Sequence, residues 1–311
     1  MDLPLQSHLE FGFLPHMGTP DEVRESVALA ERLGYGSFSV GDHLAFAVPI
    51  LDPLMQLAAA AALTRKLKLM TGVYLLPLRH PAAIAKQIAT LDRLAEGRLI
   101  LGVGVGGEFP NEFALVGVPV KERGPRLSEG IEVLRKLWSG EKVSHQGRFY
   151  AFPEVQQLPT PMQPGGPPIW CGGRSDAALE RAGRLADGYL SYVVTPEMYR
   201  TAITKITAAA EKVRRPLRHF GTGHLLFVRF GGTREEALDT ATKHLSVRYA
   251  MDFRRAASRY CALGRSGDVA DVIARFRDAG VRHFVLDMIG EPAERSLQLE
   301  KFASDVIPLL Q

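Results

Sequence analysis

The run Gly172-Gly173-Arg174-Ser175-Asp176 ends an apolar stretch and opens a helical one. Two glycines let a backbone come close to a ligand. The free N–H groups of a helix start, the Ser175 hydroxyl and the Arg174 guanidinium together suit a phosphate. The same residues also make a plain tight turn with Ser175 as N-cap, so both readings stand open. Asp42-His43 follows another apolar run. Histidine suits proton transfer near neutrality, and a neighbouring carboxylate-bearing loop can orient it. The alternative is an Asp and a His that only tie down a loop. Glu108 is the second candidate acid or base, although a loop glutamate commonly stays in water. His16 and His80 are placed to line the same cleft, and His80 before Pro81 also suits a helix cap.

Gly102 to Gly107 contains a formal G-x-G-x-x-G. A dinucleotide site requires a helix directly after the last glycine. Glu108-Phe109-Pro110-Asn111-Glu112 reads as a loop instead, so the dinucleotide reading is rejected. The glycines are expected to leave a flat floor where a planar ring or a neighbouring loop comes close. Cys171 and Cys261 have no metal-ligand spacing and make no disulfide framework, and no G-x-S-x-G elbow is present.

The elements that must position these residues alternate along the whole chain. Eight apolar runs begin near residues 9, 37, 67, 99, 169, 189, 224 and 283, and each is followed by a helical pattern. Parallel strands with helical crossovers, eight in number and with no composition shift between them, predict a closed (β/α)₈ TIM barrel over one open doubly wound sheet. One domain over 1–311 is expected, with the chemistry at the carboxyl ends of the strands. Thr19, Thr195, Thr233 and Ser266 are the expected helix caps, and 233–260 reads as one long helical region. Residues 140–167 break the rhythm with a hairpin-like piece around Gln146-Gly147 and a Pro- and Gly-rich run. They are read as an insertion lying over the barrel.

A formal charge of +4, with 38 Lys and Arg interleaved among 34 Asp and Glu, gives no basic face for a nucleic acid. No run approaches the ~18 uninterrupted apolar residues of a membrane span. The N-terminal residues carry Asp2, His8 and Glu10 and are not read as a signal peptide. A cytoplasmic, reduced protein acting on a small molecule is expected.

The chain resembles the luciferase-like flavin and deazaflavin oxidoreductase family along nearly its whole length. The resemblance rests on the order of several pieces: Leu33-Gly34-Tyr35, Gly41-Asp42-His43, Leu76-Pro77-Leu78-Arg79-His80-Pro81 and Leu91-Asp92-Arg93-Leu94. Next come Gly97-Arg98-Leu99 with the glycine run, Glu112-Phe113, Gly117, Arg123-Gly124 and Leu137-Trp138. Gly172 to Ser175 and Ala186-Asp187-Gly188 complete it. It implies a (β/α)₈ barrel with an insertion region and either of two cofactors. One is coenzyme F420, with hydride transfer to or from a small organic substrate. The other is FMN, reduced by a separate reductase and reacting with oxygen. A barrel that binds a flavin without turnover is a third possibility within the resemblance, and relatives are often homodimers. The region of Asp42-His43 and Glu108 to Glu112 resembles F420-dependent sugar-phosphate dehydrogenases. By that resemblance His43 and Glu108 would be the acid/base pair, and Gly172, Gly173, Arg174 and Ser175 would hold the cofactor's phosphate. Asp42, Gly72, Val73, Gly106 and Gly107 would line its ring. Gly72-Val73 falls where a non-prolyl cis peptide is common in the family. Phe46 is the nearest aromatic after the Asp-His pair, and the penultimate helix starts on the unusual Gly264-Arg265-Ser266-Gly267-Asp268.

Overall fold

The computed structural model describes residues 3, 6, 8–15 and 17–310; His16 lies outside them. Eleven strands form in chain order. They are β1 (Glu10–Phe13), β2 (Ser37–Val40), β3 (Lys68–Thr71), β4 (Leu99–Val103), β5 (Val143–Gln146), β6 (Ala151–Val155), β7 (Ile169–Gly172), β8 (Gly188–Tyr192), β9 (Gly221–Phe230), β10 (Ala262–Gly264) and β11 (His283–Met288). Eight of them close a parallel ring in the order β1-β2-β3-β4-β7-β8-β9-β11, and β11 returns to pair with β1. This is the expected (β/α)₈ barrel. The short β10 pairs with the carboxyl-terminal end of β9, Val228 to Phe230, beyond the stretch that β8 pairs, and had no signal in the sequence.

Side-chain alternation along the strands explains why the ring forms. Phe284, Leu286 and Met288 of β11 join the large apolar layer between strands and helices, while Val285 joins the barrel interior. Trp170 fills the amino-terminal end of that interior. A Cβ on Gly188, Gly221 or Gly223 would stand 2.5, 2.0 or 2.7 Å from its indole, so three neighbouring backbones are bare where the ring sits.

Thr19 and Thr233 make capping boxes with Glu22 and Glu236, and Thr195 and Ser175 cap their helices as expected. Ser266 does not cap. Arg265 holds the cap position, its N–H donates to Asp268 Oδ2 at 2.8 Å, and Ser266 opens the helix with its hydroxyl turned to Asp305. The region 233–260 is two helices, Arg234–Tyr249 and Arg254–Tyr260, separated at Ala250, whose φ is +51°. The 140–167 segment contains the expected hairpin, β5 with β6. It packs against the outside of helix Arg123–Trp138, where Glu129 accepts from the N–H groups of Phe149 and Tyr150 and meets His145. Cys171 and Cys261 are buried and unbridged. Among the described residues no helix is long and apolar enough to cross a membrane.

Two buried histidines lie away from the strand carboxyl ends. His224 Nδ1 is 2.7 Å from Ser191 Oγ, its ring stacks on Phe276 at 4.0 Å, and its Nε2 is buried without a partner. Burial drives its pKa down to about 3, and that of His283 to about 4. The folded pKa of His224 is below the unfolded value of about 6.5, so the unfolded chain binds the proton first. Stability from this site is therefore complete above about pH 6.5 and declines as pH falls towards 3, by up to about 1.4 kcal/mol per pH unit. His224→Phe should flatten the fall in urea midpoint between pH 6.5 and 4 by about one proton's worth, leaving the share of His283. An unchanged slope would show that His224 is not buried neutral.

Candidate active site

The carboxyl ends of β2, β3, β4 and β7 meet on one rim. The Gly72-Val73 peptide after β3 is cis, at the position the family resemblance implies. Val73 then projects against the glycines of the next strands. A Cβ on Gly104 would be 2.4 Å from Val73 Cγ2, and one on Gly172 would be 3.1 Å from Val73 Cγ1. Gly106 faces Leu75 and Gly107 faces the Arg123 guanidinium, 2.8 Å from where a Cβ would stand. Of the two expected uses of the glycine run, close approach of a neighbouring segment is the one these contacts fill. Gly106 and Gly107 are themselves part-exposed at the rim.

Asp42 is 3% exposed, and its carboxylate is turned into the protein. Oδ2 accepts the Leu75 N–H at 2.8 Å, and the Arg79 guanidinium pairs with both oxygens. Burial raises the Asp42 pKa above its ordinary value, and Arg79 limits that rise. These contacts tie the loop after β2 to the turn Leu76–Leu78 that follows β3. His43, the next residue, points the other way. Its Nδ1 is 3.2 Å from both oxygens of Glu112, and its ring stacks on Phe46 at 4.0 Å with Phe109 edge-on at 5.7 Å.

Glu112 is the residue that sequence reasoning did not single out. Pro110–Leu115 forms a six-residue helix where a loop was expected. Pro110 at its first position pre-sets the backbone, but six residues are too few to show a helical period. The helix brings Glu112 to full burial, 0% exposed, where Oε1 also accepts the N–H groups of Leu44 and Ala45 at 2.6 and 3.3 Å. Glu108 lies before the helix and is exposed; its charge bears on Tyr192 and Tyr249. The structure thus brings His43 onto Glu112 and leaves Glu108 exposed at the rim.

At the end of β7, Gly173 has φ +114°, a backbone that L side chains rarely adopt, and Ser175 caps helix Asp176–Leu185 by accepting from Ala178 N at 3.3 Å. Gly173, Arg174 and Ser175 are exposed on the rim. Arg174 donates to the Val193 carbonyl at 3.1 Å. Neither Arg174 nor Arg123 pairs with a carboxylate among the described residues. Across the mouth, the Tyr192 and Tyr249 hydroxyls are hydrogen-bonded, and Arg248 pairs with Asp287 of β11. Tyr192 had a signal, since Leu190 and Tyr192 alternate into the barrel; Tyr249, the last residue of its helix, had none.

A closed parallel ring with a hydrogen-bonded His43–Glu112 pair and an exposed glycine turn on its carboxyl rim is the architecture of a (β/α)₈ barrel. The chain belongs to the luciferase-like monooxygenase family, whose family model matches residues 7–307, and it is an oxidoreductase of that family. An F420-dependent glucose-6-phosphate dehydrogenase of Nakamurella multipartita is 29% identical over 322 residues, 94% of this chain and 93% of that protein. The oxygenase component of a flavin-dependent trigonelline monooxygenase of Acinetobacter baylyi is 33% identical over 164 residues, 52% of this chain and 45% of that protein. Among solved structures, monooxygenase RslO1 of Streptomyces bottropensis has a TM-score of 0.82 at 25% identity, over 97% of this chain and 100% of that one.

Removing the Glu112 carboxylate leaves two backbone N–H groups and an imidazole without their acceptor. Glu112→Ala should cost about 2–4 kcal/mol in urea unfolding, and Glu112→Gln, which keeps one acceptor oxygen, clearly less. A Glu112→Ala chain as stable as the original would show that this carboxylate does not hold the loop.

Proposed function

We propose that this single-domain barrel is a coenzyme F420-dependent oxidoreductase acting on a small organic substrate. The observation that carries the reading is the pairing of half-buried His43 with buried Glu112 on the same rim as the exposed turn 173–175. The full-length likeness to an F420-dependent dehydrogenase supports it. The residues present fit a phosphate-bearing cofactor. The turn offers free N–H groups at a helix start, and Arg174 and Arg123 carry positive charge with no carboxylate to neutralise it. In this reading Gly172, Gly173, Arg174 and Ser175 hold the phosphate, while Gly72, Val73, Gly106 and Gly107 border the ring.

When bound, the deazaflavin supplies or accepts the hydride. The chain's own residues orient the substrate and manage the proton. Glu112 fixes the His43 ring through Nδ1, which leaves Nε2 free for proton exchange at the mouth. His43 and Glu108 are the proposed acid/base groups. Glu112 and Asp42 are positioning residues, one holding His43 and the other the loop that carries it.

A second reading, an FMN-dependent monooxygenase supplied by a separate reductase, is favoured by the monooxygenase relatives, and the same rim serves it. Fluorescence titration with F420 and with reduced FMN separates the two. Tight F420 binding with no FMN binding is expected, and the reverse result discards F420. His43→Ala should keep the F420 dissociation constant within about threefold and lower turnover ~100-fold. Gly173→Val should do the opposite at the first step and weaken F420 at least tenfold, because φ +114° and the contact with Ala178 leave no place for its side chain. Unchanged turnover in His43→Ala would remove His43 from the reaction, and retained turnover is also what a non-catalytic flavin-binding barrel could never show.

A further inference from the structure

The half of the mouth away from the phosphate turn has a distinct chemistry. Phe46, stacked on His43, meets Phe109 at 4.9 Å and Tyr249 at 6.1 Å. Tyr249 stacks on Phe253 at 5.0 Å, and Phe227 lies edge-on to both Tyr192 and Phe253. Aromatic contacts therefore run from His43 to the end of β8, with Phe46, Phe109, Tyr249 and Tyr192 part-exposed and Phe227 and Phe253 buried behind them.

Charge is balanced along this wall. Arg248 is paired with Asp287, and Arg295 lies in the field of Asp287 and Glu291. Glu108 adds a negative charge beside the two tyrosine hydroxyls. Arg79 is consumed by Asp42, and Arg254 by Glu235 and Asp239. Arg295 makes no ion pair of its own among the described residues, and its Nε is buried without a partner, so it shares Asp287 with Arg248. Arg123 and Arg174, which likewise pair with no carboxylate among the described residues, sit at the β4 and β7 ends. A phosphate placed near Tyr192 and Tyr249 would meet Glu108 and would compete with Asp287 and Glu291 for Arg248 and Arg295. Burial pushes the Tyr249 hydroxyl up to about 12 and that of Tyr192 higher still, so both stay neutral hydrogen-bonding groups through the working pH range.

We infer that the site takes an uncharged substrate with an aromatic or bulky apolar body and one hydroxyl or carbonyl, held by the Phe46–Phe109–Tyr249 wall with its oxygen on the Tyr192–Tyr249 pair, and does not take a sugar phosphate. This rests on the rim being the active site, as proposed above. It makes a point of difference from the glucose-6-phosphate dehydrogenase relative, whose substrate carries a phosphate. An aromatic body gains offset and edge contacts with such a wall beyond simple burial, and one oxygen satisfies the hydroxyl pair without leaving a buried polar group unpaired.

Ligand-observed NMR on the purified chain tests this with acetophenone, 1-phenylethanol, glucose and glucose 6-phosphate, each with and without F420. Acetophenone and 1-phenylethanol should bind at least tenfold more tightly than either sugar. Phe46→Ala should weaken acetophenone at least fivefold, and Tyr249→Phe, which keeps the ring, about tenfold. Both variants should leave the F420 dissociation constant unchanged. Glucose 6-phosphate binding equal to or tighter than acetophenone overturns the inference, as does acetophenone binding that neither variant alters. Failure of F420 to bind, with acetophenone still held by the wall, sinks only the cofactor assignment.

Discussion

Closure of the ring by β11 against β1 is the constraint from which the site follows. An open sheet would spread its strand ends along an edge. A closed parallel ring gathers them on one rim, whatever their separation in the chain. That is how His43 after β2, the glycines after β4, the turn after β7, Tyr192 at the end of β8 and Asp287 of β11 come to one rim. Closure has a steric condition. A ring of eight strands leaves room inside for side chains and nothing more. Trp170 fills one end because Gly188, Gly221 and Gly223 withdraw, and Val73 fills the other because Gly104 and Gly172 do. Large residues on one strand are answered by bare backbone on its neighbours.

On this rim, burial and pairing divide the polar residues by task. Asp42 and Glu112 are buried and occupied with backbone N–H groups and a cation or imidazole. A carboxylate removed from water costs several kcal/mol unless its lone pairs are filled, and these are filled. Such groups lock geometry and are poorly placed to exchange protons with a ligand. His43 is partly exposed, hydrogen-bonded through Nδ1 and stacked on Phe46, which is the arrangement the proposed proton exchange requires. The two adjacent residues after β2 therefore point apart, one into the scaffold and one into the mouth.

The barrel was legible because its signal is distributed. Eight repeats of an apolar run and a helical pattern, with threonine caps at Thr19, Thr195 and Thr233, remain readable even when single boundaries shift. The geometry of the glycine turn was legible for a local reason: Gly173 and Ser175 are constrained by backbone conformation and capping inside five residues. The partner of His43 was not. Glu108 and Glu112 lie four residues apart in a stretch with no readable period, and only the short helix Pro110–Leu115 decides which one turns inward. Ring-lining by Asp42 came from the family resemblance, and its contact with Arg79 across 37 residues has no local trace. Ser266 looked like a cap by type. Asp268 took the function because its carboxylate reaches the Arg265 N–H, which turns the serine side chain elsewhere.

The distribution of charge around the mouth gives the site a direction. On the β4 and β7 side, Arg123 and Arg174 stand beside free helix-start N–H groups with no carboxylate neighbour, a field that draws an anion. On the β8 and β11 side, Arg248 and Asp287 cancel at contact distance and aromatic surface replaces charge. A long molecule with one anionic end has a single favourable orientation in such a field. Under the proposed function its charged end would go to the glycine turn and its neutral end towards His43 and the tyrosines. Reversing it would set the anion beside Glu108 and leave Arg123 and Arg174 without a counter-charge. In that proposal long-range electrostatics would set the orientation, and the short contacts at His43 and Tyr249 would be left to select the neutral end.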